Sequence, residues 1–456
     1  MISQATLAVE TKKTRLTFVI VGSTIVAALG GLLFGFDTAV ISGTTRALTE
    51  TFHLAPASLG WTVSIALWGT VIGAMLAGIP GARYGRRDSL RGLAVLYFVS
   101  ALGCALAWDW NSLVLFRFVA GLAVGGSSVL GPMYIAEIAP SRWRGRLVGF
   151  FQFNIVFGIL LAYLSNYIIG TLGFGASEWR WKLGIAVLPA ALFFLALFGI
   201  PCSPRWLAKQ NRLQEARAVL TATGEPDVEG EMKEIIESMR VHPGGAKERL
   251  FSWKYRTPIM LAVLVAFFNQ MSGINAILYY LNDIFARAGL SKVSGDQQAV
   301  VIGLTNLVFT MLAMTIIDKV GRKTLLLIGS VGTAASLGMC SWIFQTGRHQ
   351  HLLIVPLVGF VGFFALSQGA VIWVYISEVF PNRVRAGGQS LGSCTHWIMS
   401  AVLSAVFPVI TASSGAGAPF AFFGCMMAAQ FFVVLFLFPE TKGISLEQMQ
   451  KKLGIE

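Results

Sequence analysis

The sequence has little charge for its length. Only 12% of its 456 residues are Asp, Glu, Lys or Arg, about half of the ~25% that is typical of soluble domains. A soluble chain of this length needs a charged surface, and these residues are too few to supply one. Apolar residues make up 55% of the chain, and the mean hydropathy is +0.69. The composition argues against a soluble enzyme and predicts a protein that crosses a membrane many times.

The sequence also lacks the motifs of common catalytic and metal sites. Its five cysteines are scattered without a Cys-x-x-Cys pair, so they predict neither a metal site nor a disulfide framework. There is no P-loop motif, which argues against an ATP-driven pump, and no His-Glu-x-x-His. The stretch Gly388-Gln389-Ser390-Leu391-Gly392 matches a nucleophile pattern, but it begins a predicted membrane helix without a preceding strand. We expect no enzyme activity, no cofactor and no metal.

Long apolar runs account for most of the chain. A helix that spans a bilayer needs about 20 apolar residues, and twelve such runs stand in two sets of six on either side of a polar segment at 202–257. The runs lie at 17–44, 59–81, 90–108, 112–136, 146–169, 181–200, 258–281, 298–317, 324–345, 352–377, 387–411 and 419–438. The sequence therefore predicts an all-α membrane protein of two six-helix bundles with short amphipathic helices in the polar segment.

These runs also predict the division of the chain into domains. We expect an N-terminal bundle at 1–200, a cytoplasmic helical linker at 201–257, a C-terminal bundle at 258–438 and a cytoplasmic tail at 439–456.

Basic residues are unevenly distributed between the predicted loops. With a cytoplasmic N-terminus, 28 of the 35 Lys and Arg residues fall on the cytoplasmic side and 6 on the other side, while Arg117 lies within a span. The positive-inside rule then places both termini and the linker in the cytoplasm. The net charge of +13 thus indicates membrane orientation, and we expect no nucleic-acid partner. We expect a multi-pass protein of the cell (inner) membrane.

Three pairs of motifs recur in the two halves at nearly one spacing. The separations are 236 residues for Gly85 and Gly321, 241 for Glu137 and Glu378, and 238 for Pro201 and Pro439. An even number of spans gives both halves the same orientation in the membrane. Parallel repeats around a site near the membrane midplane are a known plan of transporters.

The motifs resemble those of the sugar porter family of the major facilitator superfamily. The resemblance rests on residues 30–43, on Pro-Met-Tyr-Ile-Ala-Glu at 132–137, on the paired Gly-Arg loops, and on 201–205 and 439–443. It runs from about residue 16 to 450. It implies two six-helix bundles that alternate access to a sugar site between them.

An acidic residue within the first span is the candidate for proton coupling. A carboxylate in a membrane is costly to bury, and such residues mark proton or substrate paths. We expect Asp37 to alternate between a protonated state and a pair with Arg117. The alternative is a static structural ion pair. The resemblance favours coupling, because proton-coupled sugar porters have an acid at this position.

Amide and aromatic side chains are the candidates for sugar binding. Amides both donate and accept hydrogen bonds, and aromatic faces stack on the C–H surfaces of sugars. Span 7 offers Asn269, Gln270, Asn275 and Tyr279, of which 268, 272, 275 and 279 share one face of a helix. The resemblance adds further sugar-contacting positions: Phe34, Gln152, Asn306, Phe364, Trp373, His396 and Trp397. Several of these side chains could instead pack or hold helices together.

The sequence departs from the family pattern at several positions. Ala82 replaces an acid before the first Gly-Arg loop, Cys202 replaces an acid after Pro201, and Asn269 replaces a Gln. His396 stands where the family often has an amide, so it could bind a hydroxyl or carry a proton. Ile159 replaces the Gln of some bacterial pentose porters, which favours a hexose.

A set of charged residues at corresponding places in the two halves predicts a gate on the cytoplasmic side. The resemblance implies that such pairs hold the outward-facing state shut on the inside. The residues are Arg86, Glu137, Arg144, Arg322, Glu378 and Arg385. The alternative for the arginines is the ordinary positive-inside bias.

The sequence thus predicts a proton-coupled symporter that imports a monosaccharide, either a hexose such as glucose or galactose, or xylose. We expect it to act as a monomer in the lipid bilayer, with sugar and proton as its partners. A facilitative uniporter and a porter of inositol or another polyol remain alternatives. A membrane sugar sensor is a weaker alternative.

Overall fold

The structure is a computed structural model that describes residues 16–140, 142–240, 250–381, 383–444 and 446–455. The predicted N-terminal residues 1–15 and residues 241–249 of the predicted linker lie outside the described residues. The described chain is helical throughout, and its helices are numbered here in chain order.

The described residues of the first half form nine α-helices. They are α1 (Phe18–Val40), α2 (Thr45–Phe52), α3 (Pro56–Leu76), α4 (Gly78–Arg83), α5 (Arg86–Ala105), α6 (Trp110–Ile138), α7 (Arg144–Leu172), α8 (Glu178–Gly184) and α9 (Val187–Ala196). The described part of the polar segment contains three short helices: α10 (Pro204–Lys209), α11 (Leu213–Ala222) and α12 (Val228–Arg240).

Within the residues that the structure describes, ten α-helices form the second half. They are α13 (Arg256–Met271), α14 (Ile274–Tyr279), α15 (Leu281–Arg287), α16 (Lys292–Val320), α17 (Arg322–Thr346), α18 (Ile354–Leu366), α19 (Gln368–Val379), α20 (Arg385–Ser414), α21 (Gly417–Leu437) and α22 (Leu446–Lys452).

Twelve stretches of the described chain are long and apolar enough to cross a membrane. They follow the twelve apolar runs of the sequence, so the predicted all-α, twelve-span fold is confirmed. Some spans combine two helices, such as α3 with α4 and α18 with α19. The polar segment lies at one end of the molecule, where the chain also leaves the two bundles at Pro201 and Pro439. We name this end the central-segment face. We name the other end the opposite face.

The two bundles repeat one pattern of helix packing. In the first bundle α1 packs on α7 and α3 on α6, and in the second α13 packs on α20 and α16 on α18. These are the first and fifth spans and the second and fourth spans of each half. The bundles meet where α3 packs on α20 and α7 on α16, which is the second span of one half against the fifth of the other. The packing therefore follows the internal repeat of the sequence.

The same repeat governs how each bundle ends at the central-segment face. The hydroxyl of Tyr134 donates a hydrogen bond to the carbonyl oxygen of Pro201 at 2.8 Å. The hydroxyl of Tyr375 donates in the same way to Pro439 at 3.3 Å. Both prolines end the last span of a bundle, so each tyrosine ties the fourth span to the exit of the chain.

Small residues allow the closest helix contacts. A Cβ atom at Gly35 of α1 would overlap the carbonyl oxygen of Ile155 in α7, and one at Gly158 would overlap that of Leu32. Between the bundles, Gly60 of α3 packs directly against the backbone of Ala405 in α20. Close packing of this kind replaces the hydrophobic driving force that lipid does not provide between helices.

The seventh span is broken, which the continuous apolar run did not predict. Helix α13 ends at Met271 and α14 begins at Ile274, and Gly273 between them has a φ of +79°. Glycine adopts this left-handed conformation readily because it has no Cβ. The single helical face that we predicted across 268, 272, 275 and 279 is therefore wrong, since the break turns the chain after Ser272.

Glu440 organises the start of α17 at the central-segment face. Its carboxylate accepts backbone N–H bonds from Arg322 at 2.9 Å, Lys323 at 3.1 Å, Thr441 at 2.9 Å and Lys442 at 3.0 Å. Burial of this carboxyl raises its pKa, but the four N–H donors outweigh burial, and the pKa of Glu440 lies below its usual value. The corresponding residue of the first half, Cys202, has no carboxylate to offer.

Replacement of Glu440 by Gln should therefore destabilise the fold. We expect the free energy of unfolding to fall by about 1–2 kcal/mol at pH 7, because the start of α17 loses a charged acceptor. The folded pKa lies below the unfolded one, so this stabilisation is fully present above about pH 4.3 and disappears as the pH falls through the folded pKa.

Thermal unfolding in detergent at several pH values measures the effect. The control is Glu215→Gln, which removes one partner of an exposed ion pair with Arg212, and we expect it to leave stability unchanged. Equal stability of wild type and Glu440→Gln at pH 7 would contradict the assignment.

Candidate functional site

A cavity of about 160 Å³ lies between the two bundles. Residues of α1 and α7 line it on one side, and residues of α13, α14, α16, α18, α19 and α20 line it on the other. The structure brings all eleven residues that we predicted to bind substrate to this cavity: Phe34, Gln152, Asn269, Gln270, Asn275, Tyr279, Asn306, Phe364, Trp373, His396 and Trp397. That they bind substrate stays a prediction.

Amide side chains of α13 and α14 form a hydrogen-bonded chain at the cavity. The Nε2 of Gln270 donates to Asn269 Oδ1 at 3.0 Å, and its Oε1 accepts from Asn275 Nδ2 at 3.0 Å. The same Asn275 amide donates to Ser400 Oγ at 2.9 Å, and Asn269 donates to the carbonyl oxygen of Gln368 at 3.2 Å. The break at Gly273 makes this chain possible, because it turns Asn275 back towards Gln270.

His396 completes this amide chain. Its ring nitrogens lie 3.1 Å and 3.3 Å from Nε2 of Gln270. An imidazole nitrogen accepts a hydrogen bond only when it carries no proton, so the contact fits a neutral His396 that accepts from the Gln270 amide. The Trp373 ring lies 5.1 Å and the Trp397 ring 4.9 Å from the His396 ring, centroid to centroid. His396 is therefore held by one polar and two aromatic neighbours.

Aromatic rings join the two bundles across the cavity. The ring centroids of Phe34 in α1 and Trp397 in α20 lie 5.5 Å apart. One of these rings belongs to each bundle, so a ligand in the cavity would touch both halves of the protein. Such a ligand can couple its binding to the relative movement of the bundles.

Asp37 and Arg117 form an ion pair beside the cavity. The Arg117 Nη1 atom donates to Asp37 Oδ1 at 2.7 Å, and the Arg117 side chain is only 2% exposed. The pair borders a separate space of about 20 Å³, which is enough for one water molecule. Asp37 lies on α1 between Phe34 and Thr38, which both line the 160 Å³ cavity between the bundles, named here the ligand cavity. The charge of Asp37 and the ligand cavity therefore lie on adjacent faces of one helix.

The predicted gate residues form matching clusters at the central-segment face, one in each bundle. Arg86 Nη2 lies 2.8 Å from Glu137 Oε1, and Arg322 forms a two-point contact with Glu378 at 2.9 Å and 3.2 Å. Arg322 also pairs with Asp318 at 2.9 Å, and Ala82 stands at the corresponding place of the first half.

The two remaining gate arginines contact the backbone of their own bundle. Arg144 donates to the carbonyl oxygen of Ala139 at 3.5 Å, and Arg385 donates to that of Phe380 at 3.4 Å. A lock between the bundles in another conformation stays a prediction.

Sequence reasoning missed several residues of the site. Thr38 and Thr310 line the cavity, Ser400 binds Asn275, and the hydroxyl of Tyr163 donates to the carbonyl oxygen of Leu278 at 3.0 Å across the bundles. Helical spacing carries a signal for three of them: Thr38, Thr310 and Ser400 each follow a predicted residue by four. No comparable signal pointed to Tyr163.

A larger cavity of about 430 Å³ opens at the opposite face. Its lining includes Arg46, Glu50, Tyr280, Asp283 and Arg287. None of the eleven predicted residues borders it. Its size alone does not make it the functional site, because the convergent amides surround the smaller cavity.

A polar, aromatic-lined cavity between two parallel six-span repeats defines a secondary transporter. The chain matches the family model described as "Sugar (and other) transporter" over residues 23–453. A D-xylose transporter of Levilactobacillus brevis is 38% identical to it over 433 residues, which are 93% of this chain and 94% of that protein. An arabinose-proton symporter of Bacillus subtilis is 36% identical over 431 residues, 93% of each chain.

A solved structure agrees with these relatives. The inward-open conformation of the xylose transporter XylE from E. coli matches with a TM-score of 0.84 at 34% identity, covering 95% of this chain and 99% of that one. The chain therefore belongs to the sugar transporter family, and the predicted resemblance to sugar porters is confirmed.

Replacement of His396 by Leu should destabilise the site. One N–H of the buried Gln270 amide would lose its acceptor, and we expect the free energy of unfolding to fall by about 1–3 kcal/mol. His396→Gln, which keeps an acceptor oxygen, should retain most of the stability. Thermal unfolding of wild type and the two variants in detergent measures these differences in stability. Equal stability of His396→Leu and wild type would show that the contact between Gln270 and His396 does not stabilise the fold.

Proposed function

We propose that the protein is a proton-coupled symporter that imports a monosaccharide by alternating access. The observation that carries the proposal is the position of the Asp37–Arg117 ion pair directly beside the amide-lined cavity. Family membership supports it, and the relatives named above include a D-xylose transporter and an arabinose-proton symporter.

The cavity has the chemistry that a sugar requires. Gln270, Asn275 and Asn306 supply groups that both donate and accept, as sugar hydroxyls do. Trp373 and Trp397 supply aromatic faces for the C–H surfaces of the ring. The amides bind one another, so a sugar would replace these contacts with its own hydroxyls and leave few polar groups unpaired.

The ion pair supplies the chemistry of coupling. Protonation of Asp37 neutralises its carboxylate and leaves Arg117 without its partner, which removes one polar link between α1 and α6. Because Phe34 and Thr38 of α1 line the cavity, such a movement of α1 changes the sugar site. A proton that moves inward gains ~2.3 kcal/mol per 100 mV, enough for roughly a fiftyfold accumulation of sugar.

The same proposal includes the orientation and assembly of the protein. The excess of basic residues at the central-segment face favours a cytoplasmic position for that face and for both termini. We propose an inner-membrane location and function as a monomer, since one chain holds both halves of the site.

The experiment is uptake of radiolabelled xylose, arabinose, galactose and glucose into proteoliposomes, with and without an inward proton gradient. We expect the gradient to drive accumulation of at least one sugar by the wild type. Asp37→Asn should abolish accumulation but retain exchange of sugar between the two sides, because it mimics the protonated state. Asp88→Asn, which removes an acid from a surface cluster with Arg87 and Arg91, should retain accumulation.

The other outcomes separate the alternatives. Equilibration of sugar without any effect of the gradient, in wild type and Asp37→Asn, would make the protein a uniporter. Transport of inositol or another polyol but of none of the four sugars would change the substrate class.

Replacement of Gln270 by Leu tests the sugar site separately from coupling. Gln270 occupies the centre of the amide chain, so we expect sugar binding to weaken by about tenfold or more, the loss of one or two hydrogen bonds. The matched control is Gln430→Leu, a buried glutamine of α21 that does not line the cavity. Titration calorimetry with purified protein measures the affinities, and unchanged affinity in Gln270→Leu would remove Gln270 from the site.

A further inference from the structure

Four charged residues meet where the two bundles close at the opposite face. Glu178 and Lys182 lie on α8 of the first bundle, and Lys292 and Asp296 lie on α16 of the second. Lys182 Nζ lies 3.0 Å from Asp296 Oδ2, and Lys292 Nζ lies 2.7 Å from Glu178 Oε2. Both ion pairs therefore join one bundle to the other. We name these four residues the charge quartet.

The Lys182 ammonium is completely enclosed. Its side chain is 0% exposed, and Nζ lies 2.8 Å from Glu178 Oε1, 3.0 Å from Asp296 Oδ2 and 3.2 Å from the carbonyl oxygen of Gly43. An ammonium has three N–H donors, and three oxygens surround this one. An unpaired buried charge is very costly. Lys182 therefore stabilises the conformation in which these three oxygens surround it.

The network continues from Asp296 to a second contact between the bundles. The side-chain amide of Asn282 donates to Asp296 Oδ1, and the hydroxyl of Ser42 in the first bundle donates to Asn282 Oδ1 at 3.3 Å. A third contact between the bundles lies at the cavity itself. The Tyr163 hydroxyl donates a hydrogen bond to the carbonyl oxygen of Leu278, and Leu278 lines the ligand cavity. The quartet, Asn282 and Tyr163 thus form a series of contacts between the bundles from the opposite face to the cavity.

The spacing of the quartet allows its partners to change. Glu178 and Lys182 are four residues apart on one helix, and Lys292 and Asp296 are four apart on another. An acid and a base at this spacing can pair within their own helix. If the bundles separate at this face, each helix keeps one positive and one negative charge. No charge is left uncompensated, and water enters to solvate the groups.

We propose that the charge quartet is a gate of the transport cycle: it locks the opposite face while its charges pair between the bundles, and it opens when only the pairs within each helix remain. The proposal rests on the proposed function, because alternating access requires this face to open. A merely structural quartet would instead hold the bundles in one fixed arrangement, and its loss would unfold the protein without changing the balance of conformations.

The test is a distance measurement by pulsed electron paramagnetic resonance on the full chain in lipid nanodiscs, without sugar. Spin labels are placed at the exposed residues Thr171 in the first bundle and Arg348 in the second. The accessible native cysteines Cys202, Cys394 and Cys425 are replaced by serine. Asp296→Asn keeps the shape of the side chain but removes the charge that Lys182 requires.

We expect Asp296→Asn to increase the ratio of long to short label distances by about tenfold or more, because one partner of a buried pair is removed. Lys292→Gln, at the more exposed end of the quartet, should shift the ratio in the same direction by a smaller factor. Glu50→Gln removes a carboxylate of the exposed pair with Arg46 at the same face, and it should leave the distances unchanged.

Reversal of all four charges in Glu178→Lys, Lys182→Glu, Lys292→Glu and Asp296→Lys should restore the short distance. Distances in Asp296→Asn and Lys292→Gln that equal those of the wild type would overturn the gate. The readout needs no sugar, so a failure of the gate can be distinguished from a failure of the proposed function. A wild type that transports no sugar while these variants still shift the distances would refute the proposed function and leave the gate of this face intact.

Discussion

A charge or an amide inside a bilayer has no water to bind, so it must find its partner within the protein. This constraint explains the places where polar side chains occur in this structure. Arg117 is bound by Asp37, Lys182 by Asp296, and Gln270 by Asn269, Asn275 and His396. Under the two proposals above, each set lies at a point that changes during transport. The polar contacts then both stabilise one conformation and mark what another conformation must replace.

The fold could be predicted from the sequence because its signals are long and repeated. Twelve apolar runs predicted the spans, and three pairs of recurring motifs predicted the two halves. The packing of the second span of each half against the fifth span of the other follows the same repeat. The break at Gly273 could not be read in this way, since an apolar run looks the same whether the helix continues or turns. The short helix Thr45–Phe52 was hidden in a predicted loop for a similar reason.

The residues around the cavity could be named, but their contacts could not. Asn275 and Gln270 share a hydrogen bond only because the backbone turns at Gly273. The pairing of Lys182 with Asp296 could not be predicted, because two residues 114 apart in the chain form no local pattern. The two halves also differ where the repeat predicts equality: Asp318 and Glu440 surround Arg322, whereas Ala82 and Cys202 stand at the matching places.

The two bundles approach each other closely at glycines. Gly60 meets the backbone of Ala405, and Gly303 meets Leu160 and Tyr163, so no side chain separates the helices at these two points. The polar contacts, in contrast, lie at the two ends of the interface. Under the proposed gates these end contacts set the rate of the cycle, and single substitutions there would make such a carrier faster or slower while its bundles and its substrate preference stay as they are.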